Sequence, residues 1–234
     1  NALEVLSARY LHRDLHGNVI ETPNDLFVRV AEAVAQGERS NGGPAAVYRW
    51  SQRFLDHLTA LDFMPNSPTL MNAGTELGML SACFVLPVHD SLDGIFGSLH
   101  SGATIHKVGG GTGYGFSRLR PKGDIVRSTR GVASGPVSFM RIFDAATEHV
   151  KQGGRRRGAN MGVVRVDHPD VVEFIDAKKD GQSFQNFNTS VGITDAFMES
   201  VATDTRYPLR NPRNGEIVEW VRATEMLARI CTNA

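Results

Sequence analysis

Cys83, five glycines within residues 109–115, and the cations Arg118, Arg120 and Lys122 just behind them are the groups best suited to chemistry in this 234-residue chain. A thiol can change oxidation state by exchange with another thiol. On an apolar strand, however, a cysteine more often serves as a small core residue, and residues 80–88 read as a buried strand ending near Pro87. Glycines 109, 110, 111, 113 and 115 bring no side chain to a core. They permit positive φ and close backbone approach, and their successive N–H groups can form a concave anion site. Arginine and lysine placed directly after them suit phosphate oxygens. The expectation is a loop, 107–123, that handles a nucleotide or another phosphorylated molecule; the competing expectation is a turn between two packed elements. No Gly-Lys-Ser/Thr follows the run, and Tyr114 or Phe116 falls where the last glycine of G-x-G-x-x-G should stand, so neither common phosphate motif applies.

Two further groups bear on that expectation. Residues 151–160 form a second glycine-cation stretch containing Arg155, Arg156 and Arg157. Alone it reads as a solvated basic turn, but two such stretches, each after an amphipathic helix, strengthen the case for a phosphate. Asp90 opens a helix, where a carboxylate caps free N–H groups and complements the dipole.

The elements that carry these groups follow from periodicity. Residues 1–62 read as a helical region. Thr22, Pro23 and Asp25 start one helix, with Leu26, Phe27, Val30, Ala31 and Val34 on a face. Gly42, Gly43 and Pro44 then break the chain before a second helix marked by Val47, Trp50, Phe54, Leu55, Leu58 and Leu61. Residues 65–74 are dense in turn formers and hydroxyls. Beyond residue 80, strands at 80–88, 161–166 and 188–194 alternate with helices at 90–107, 136–150, 171–178 and after Asp195. Leu92, Ile95, Phe96, Leu99 and Ala103 mark the inner stripe of the first of these. Residues 207–215 read as a surface turn and 217–231 as a closing helix. The alternation predicts an α/β arrangement with parallel strands.

Composition bounds the classes. Apolar residues make up 41% and charged residues 21%, ordinary for a globular protein, and the net charge of zero argues against a general nucleic-acid or membrane surface. No stretch of about 18 apolar residues is present, and the N-terminus lacks the features of a signal peptide. Cys83 and Cys231 are too few for a disulfide-built secreted domain, so cytoplasm is the default compartment and the sequon at Asn188 is read as incidental. A chain that starts without Met, and whose apolar helix pattern runs almost to its last residue, is expected to belong to a longer polypeptide.

With these residues in view, the chain resembles the large catalytic subunit of ribonucleotide reductase. The resemblance is carried by residues 65–74, 80–83, 109–123 and 151–162, in the same order. Asn186 to Asn188 and Thr194 to Met198 look most like the adenosylcobalamin-dependent class. It implies a helical region (1–62) followed by the first half of a ten-stranded α/β barrel (63–234, incomplete). It further implies reduction of ribonucleoside diphosphates by a thiyl radical that removes the 3′ hydrogen, with the 2′ hydroxyl leaving as water. Cys83 matches one of the two cysteines that supply electrons. Ser67 and Thr69 match the turn that holds the substrate phosphate, and Ala82 and Gly111 match positions where substrate lies against backbone. Asp90, Ser91, Leu92, Lys107, Arg120 and Arg127 match the binding site of an allosteric deoxynucleotide or ATP. Gln152 and Arg156 match the loop that relays effector identity. The implied partners are a thioredoxin-like reductant and a second copy packed along the helix after Asp90; neither nucleic acid nor membrane is implied. The radical cysteine, its glutamate and the second reducing cysteine match nothing here, so these residues alone are expected to be inactive. Cys231 matches no active-site position, and no residue is singled out as a metal ligand. Two alternatives stand beside this: a radical supplied by a separate iron-dependent small subunit, and a non-catalytic nucleotide-binding regulatory module.

Overall fold

Helix initiation at Thr22 is the clearest case of local sequence setting local structure. Asp25 N–H donates to Thr22 Oγ1 while Thr22 N–H donates to Asp25 Oδ2, a reciprocal capping box with Pro23 in the first turn. The computed structural model describes residues 1–126, 130–150 and 158–234, and the chain divides into two units, Asn1–Ala82 and Cys83–Ala234.

The first unit holds α1 (Ala2–Arg9), α2 (Pro23–Ala35), α3 (Arg39–Thr59) and α4 (Ser67–Asn72). Leu26, Phe27, Val30 and Ala31 of α2 form its core with Leu11, Leu58, Leu70 and Ala73, while Val34 lies at the exposed margin. The expected break falls inside α3, where Gly43 takes φ +64° and Gly42 leaves helical geometry. Leu61 does not join the apolar face. It follows the end of α3 with φ +61° and points to solvent, the left-handed position that ends many helices and usually holds glycine. Residues 63–82, read from sequence as the start of the next domain, pack with these helices: Arg29 of α2 donates to Ala73 O (2.6 Å) and Leu70 O (3.2 Å), and Thr69 Oγ1 to Leu80 O (2.8 Å).

The second unit begins with β1 (Cys83–Pro87), α5 (Leu92–Lys107) and β2 (Gly111–Gly115). A short hairpin of β3 (Ile125–Val126) and β4 (Gly131–Val132) follows, then α6 (Pro136–His149), β5 (Asn160–Arg165), α7 (Val171–Asp176), β6 (Phe187–Gly192) and α8 (Asp195–Ala202). It closes with the antiparallel pair β7 (Arg206–Arg210) and β8 (Ile217–Arg222) and with α9 (Ala223–Thr232). Strands β1-β2-β5-β6 form one all-parallel sheet, as the alternation of elements predicts. Helix α5 packs on β1 and β2, α6 on β5, and α7 on β5 and β6. Between helices and sheet lies a core rich in rings: Tyr114, Phe116, Phe143, Phe174, Phe184 and Phe187.

Four expectations are corrected here. The glycine run is not a loop of free N–H groups: residues 111–115 are an interior strand paired with β1 and β5, so the ladder consumes those donors. Strand β1 is not buried; it is a sheet edge, and Cys83, Val85 and Pro87 all face outward exposed. Residues 206–210 and 217–222 form a hairpin, because Ile217, Val218, Trp220 and Val221 favour a pleated surface and the helix starts only at Ala223. On α5 the inward line is Ile95, Ser98, Gly102 and His106, while Leu92 and Phe96 are exposed.

Gly102 explains that inward line. A Cβ there would stand 2.1 Å from the Tyr114 hydroxyl oxygen, and the Tyr114 ring is held edge-on against Phe143 at 4.8 Å. Alanine in a helix interior normally gains about 1 kcal/mol over glycine. At this position overpacking outweighs that gain, so Gly102→Ala is expected to cost about 1–3 kcal/mol. A lower urea midpoint at unchanged slope is the readout; a raised midpoint would refute it.

Candidate functional site

Period-two alternation makes the sheet two-faced. Thr112, Tyr114 and Phe116 point into the helices, whereas Gly111, Gly113 and Gly115 point the other way. The register places Cys83 beside Gly111, Val85 beside Gly113, and Met161 on the far side of Gly113. The second face is therefore a shallow trough. Its floor is bare glycine backbone; Val85 (87% exposed) and Met161 stand on its flanks, and the Cys83 thiol stands at its head. Cys83 is exposed and in no disulfide. All-parallel sheets ordinarily have both faces covered, and within these residues the glycine face is bare.

A closed polar ring underpins the head of the trough. His106 Nε2 lies 2.8 Å from Thr112 Oγ1, which donates to Asn160 Oδ1 (2.9 Å); Asn160 Nδ2 donates to Thr147 Oγ1 (2.8 Å), 3.5 Å from His106 Nδ1. All four side chains are buried, and burial pushes the His106 imidazole below its ordinary pKa, which keeps it neutral. The ring joins the end of α5, the starts of β2 and β5, and α6. None of its members was singled out from sequence; the pattern Gly-Thr-Gly-Tyr-Gly-Phe, bare and filled in turn, was the available signal.

At the other end of α5 lies a cavity of about 700 Å³. Leu92, Ile95, Leu119, Val126, Val132 and Phe139 give it apolar walls, and Asp90, Ser91, Arg120 and Arg213 supply its polar rim. Ser91, not Asp90, caps the helix, its Oγ accepting from Gly94 N–H at 3.0 Å. Asp90 instead receives Arg120: Nε donates to Oδ1 (3.0 Å) and Oδ2 (2.9 Å), and the Arg120 N–H also reaches Oδ1 (3.1 Å). That pairing holds the Arg120 pKa above its usual value.

Four of the residues matched to an effector site thus line one cavity: Asp90, Ser91, Leu92 and Arg120. Lys107 closes the last turn of the 16-residue α5, exposed and at the opposite end from this cavity. Arg127, Gln152 and Arg156 lie outside the described residues. In the first unit, Asn66 caps α4 by accepting the Thr69 N–H (3.0 Å), Thr69 is buried, and Ser67 Oγ lies 2.9 Å from the Tyr10 hydroxyl. Ala82 directly precedes Cys83 and is half-buried. Among the described residues no helix is long and apolar enough to cross a membrane, and no three His, Cys, Asp or Glu side chains converge as a metal-ligand set.

The chain thus joins a helical unit to a parallel α/β unit that carries an exposed thiol on one sheet face and an arginine-rimmed apolar cavity at the end of one helix. The chain belongs to the ribonucleotide reductase large-subunit family: residues 1–78 match that family's all-alpha domain and residues 81–230 its barrel domain. It is 49% identical over its whole length to a vitamin B12-dependent ribonucleoside-diphosphate reductase of Mycobacterium tuberculosis, covering 34% of that protein. Identity to the protein of the same description from Thermoplasma acidophilum is 43%, covering all of this chain and 38% of that protein. A ribonucleoside-diphosphate reductase subunit alpha of Helicobacter pylori is 30% identical over 90% of this chain and 26% of its own length. The chain spans about a third of the length of the vitamin B12-dependent relatives it matches.

Proposed function

We propose that these residues are the helical region and part of the barrel of a ribonucleoside-diphosphate reductase in which Cys83 is one half of a substrate-reducing dithiol. The observation that carries this is the exposed thiol at the head of a glycine-floored trough. Substrate must reach the thiol, and a ribose can lie flat only where no side chain rises from the floor. In the overall step the 2′ C–O bond breaks, its oxygen leaves as water and a C–H bond replaces it. The two electrons come from two thiols, which become a disulfide. Cys83 supplies one sulfur; the other belongs to the rest of the longer protein, as does the cysteine that carries the radical. The disulfide is then reduced by exchange with an external dithiol of the thioredoxin kind, and an exposed strand end suits that visit.

Gly111 is a backbone contact for substrate in the α/β unit; in the helical unit, taken by itself, Ser67 and Thr69 form a phosphate-binding turn and Ala82 is a second backbone contact. The α5 cavity takes a deoxynucleotide or ATP effector: the base against Leu92, Ile95 and Phe139, the phosphates toward Arg120, with Lys107, Arg127, Gln152 and Arg156 as further contacts. Leu92 and Phe96, exposed on α5, fit packing against a second copy of this helix. Adenosylcobalamin enters through the descriptions of the relatives at 43% and 49% identity, which are vitamin B12-dependent proteins. When bound, the cofactor supplies the initiating radical. Its cobalt is held by the nitrogens of its own corrin ring, so a protein set of three ligands is not what it requires.

The full-length protein, supplied with a ribonucleoside diphosphate, adenosylcobalamin and a dithiol, is expected to release the 2′-deoxyribonucleotide. Product only with an iron-containing small subunit would move it to the other radical class. No product under either condition would overturn the assignment and favour a regulatory module.

A further inference from the structure

The wall of the effector cavity is built partly from a short hairpin. Strands β3 and β4 are two residues each, paired Ile125 to Val132 and Val126 to Gly131, yet Val126, Val132 and Ala133 line the cavity. Besides its own backbone bonds, Ala133 N–H to Asp124 O (2.8 Å) and Gly123 N–H to Ala133 O (2.9 Å), the hairpin is held by the turn between β7 and β8. Arg213 Nη1 donates to Asp124 Oδ2 (3.0 Å) and to Ile125 O (3.4 Å), and Asn211 Nδ2 donates to the same carboxylate oxygen (3.3 Å). That turn is itself braced: the Arg213 N–H donates to Asn211 Oδ1 (3.0 Å) and the Gly215 N–H to Asn211 O (2.8 Å). The core beneath it, with Tyr207, Leu209 and Met226, is separate from the core behind the cavity.

Arg213 itself reaches the cavity rim, its side chain 29% exposed. Only Nη1 is spent on Asp124 and Ile125; Nε and Nη2 make no hydrogen bond within the described residues, which leaves one edge of the guanidinium fork unengaged. Arg120, by contrast, has its Nε committed to both oxygens of Asp90 and Nη2 to the Asp90 carbonyl. We propose that Arg213 is a ligand-contacting residue of the α5 cavity: Asp124 and Asn211 hold it in place, and its unengaged edge receives the phosphate chain of the bound nucleotide. A half-buried guanidinium positioned by a carboxylate suits a bidentate grip on phosphate oxygens, which a lysine cannot reproduce. The β7–β8 turn thereby becomes part of the effector site.

This rests on the reading of the cavity as a nucleotide site, and the test separates the two. Full-length wild type, Arg213→Ala and Arg213→Lys are titrated calorimetrically with dTTP and with thymidine, and their unfolding midpoints are compared. Wild type is expected to bind dTTP, Arg213→Ala about ten- to a hundredfold more weakly, and Arg213→Lys in between. Thymidine, which has no phosphate, is expected to bind all three within about twofold, so that loss of the arginine tells only on the phosphates. Equal dTTP affinity in wild type and Arg213→Ala would overturn the role of Arg213 while leaving the nucleotide site standing. Equal weakening of dTTP and thymidine would reduce Arg213 to a wall support and overturn it too. If wild type binds no dTTP, the nucleotide site and the proposal fall together.

Discussion

Cys83→Ser in the full-length protein is expected to abolish reduction of ribonucleoside diphosphates, lowering turnover by roughly a thousandfold or more, as loss of a group that takes part in bond making does. Serine keeps the size and a hydroxyl but cannot form a disulfide, so the two electrons have no source. Substrate and effector affinities are expected to stay within about twofold, because nothing else in the trough changes. Stability is expected to stay within about 0.5 kcal/mol, since serine nearly matches cysteine in size and Cys83 belongs to none of the buried clusters of the described residues. The separation of turnover from binding discriminates between the two functional readings. A cysteine that merely packs would, on replacement, lower stability and leave activity intact. Retained turnover in Cys83→Ser would remove the chemical basis for placing substrate in the trough.

How far sequence reached depends on whether a feature is local. The Thr22–Asp25 box, the Gly43 break and the parallel order of strands rest on neighbouring residues or on alternation of elements, and all are found where expected. Exposure of β1 was not readable in that way. Leu80 to Val88 is apolar because one face meets α5 and the other awaits cover, and a run of apolar residues has the same appearance whichever face is bare. The glycine run misled for a related reason. Glycine is depleted in strands, so five in seven residues read as a loop, although Thr112, Tyr114 and Phe116 between and after them already marked period two. The cavity needed tertiary pairing: Asp90 meets Arg120 across 30 residues and Asp124 meets Arg213 across 89. Asp90 therefore read as a cap when its partner was an arginine, and Arg213 went unnoticed in what read as a surface turn.

The same distance dependence governs stability in the first unit, where Arg29→Ala is expected to cost about 3–5 kcal/mol. The Arg29 side chain is 14% exposed and that of Glu21 7%. Nε donates to Glu21 Oε1 (2.6 Å), Nη2 to Oε2 (3.0 Å) and Nη1 to Ala73 O (2.6 Å), and Glu21 also accepts the His12 N–H (3.0 Å). Removing the arginine leaves a buried carboxylate without its counter-charge and frees the Leu70 and Ala73 carbonyls at the end of α4, the helix that carries Ser67 and Thr69. Replacing both partners, Glu21→Gln with Arg29→Met, is expected to cost less than Arg29→Ala alone, because no uncompensated charge remains. The pH dependence gives an independent check. Burial works to raise the Glu21 pKa, but the hydrogen bonds from Arg29 and the His12 N–H outweigh it and hold the carboxyl below its ordinary value. A depressed folded-state pKa stabilises above the unfolded value, about pH 4.3, and that contribution is lost as pH falls through the folded value. In Arg29→Ala the same carboxyl is buried without a partner, its pKa rises, and acid relieves the strain it creates. Hydrogen-exchange protection of the α2 amides in the full-length protein is therefore expected to differ most between wild type and Arg29→Ala near pH 7 and to converge below about pH 4. A difference that is constant across that range would show that packing of the arginine stem, and not its charge, holds this unit together.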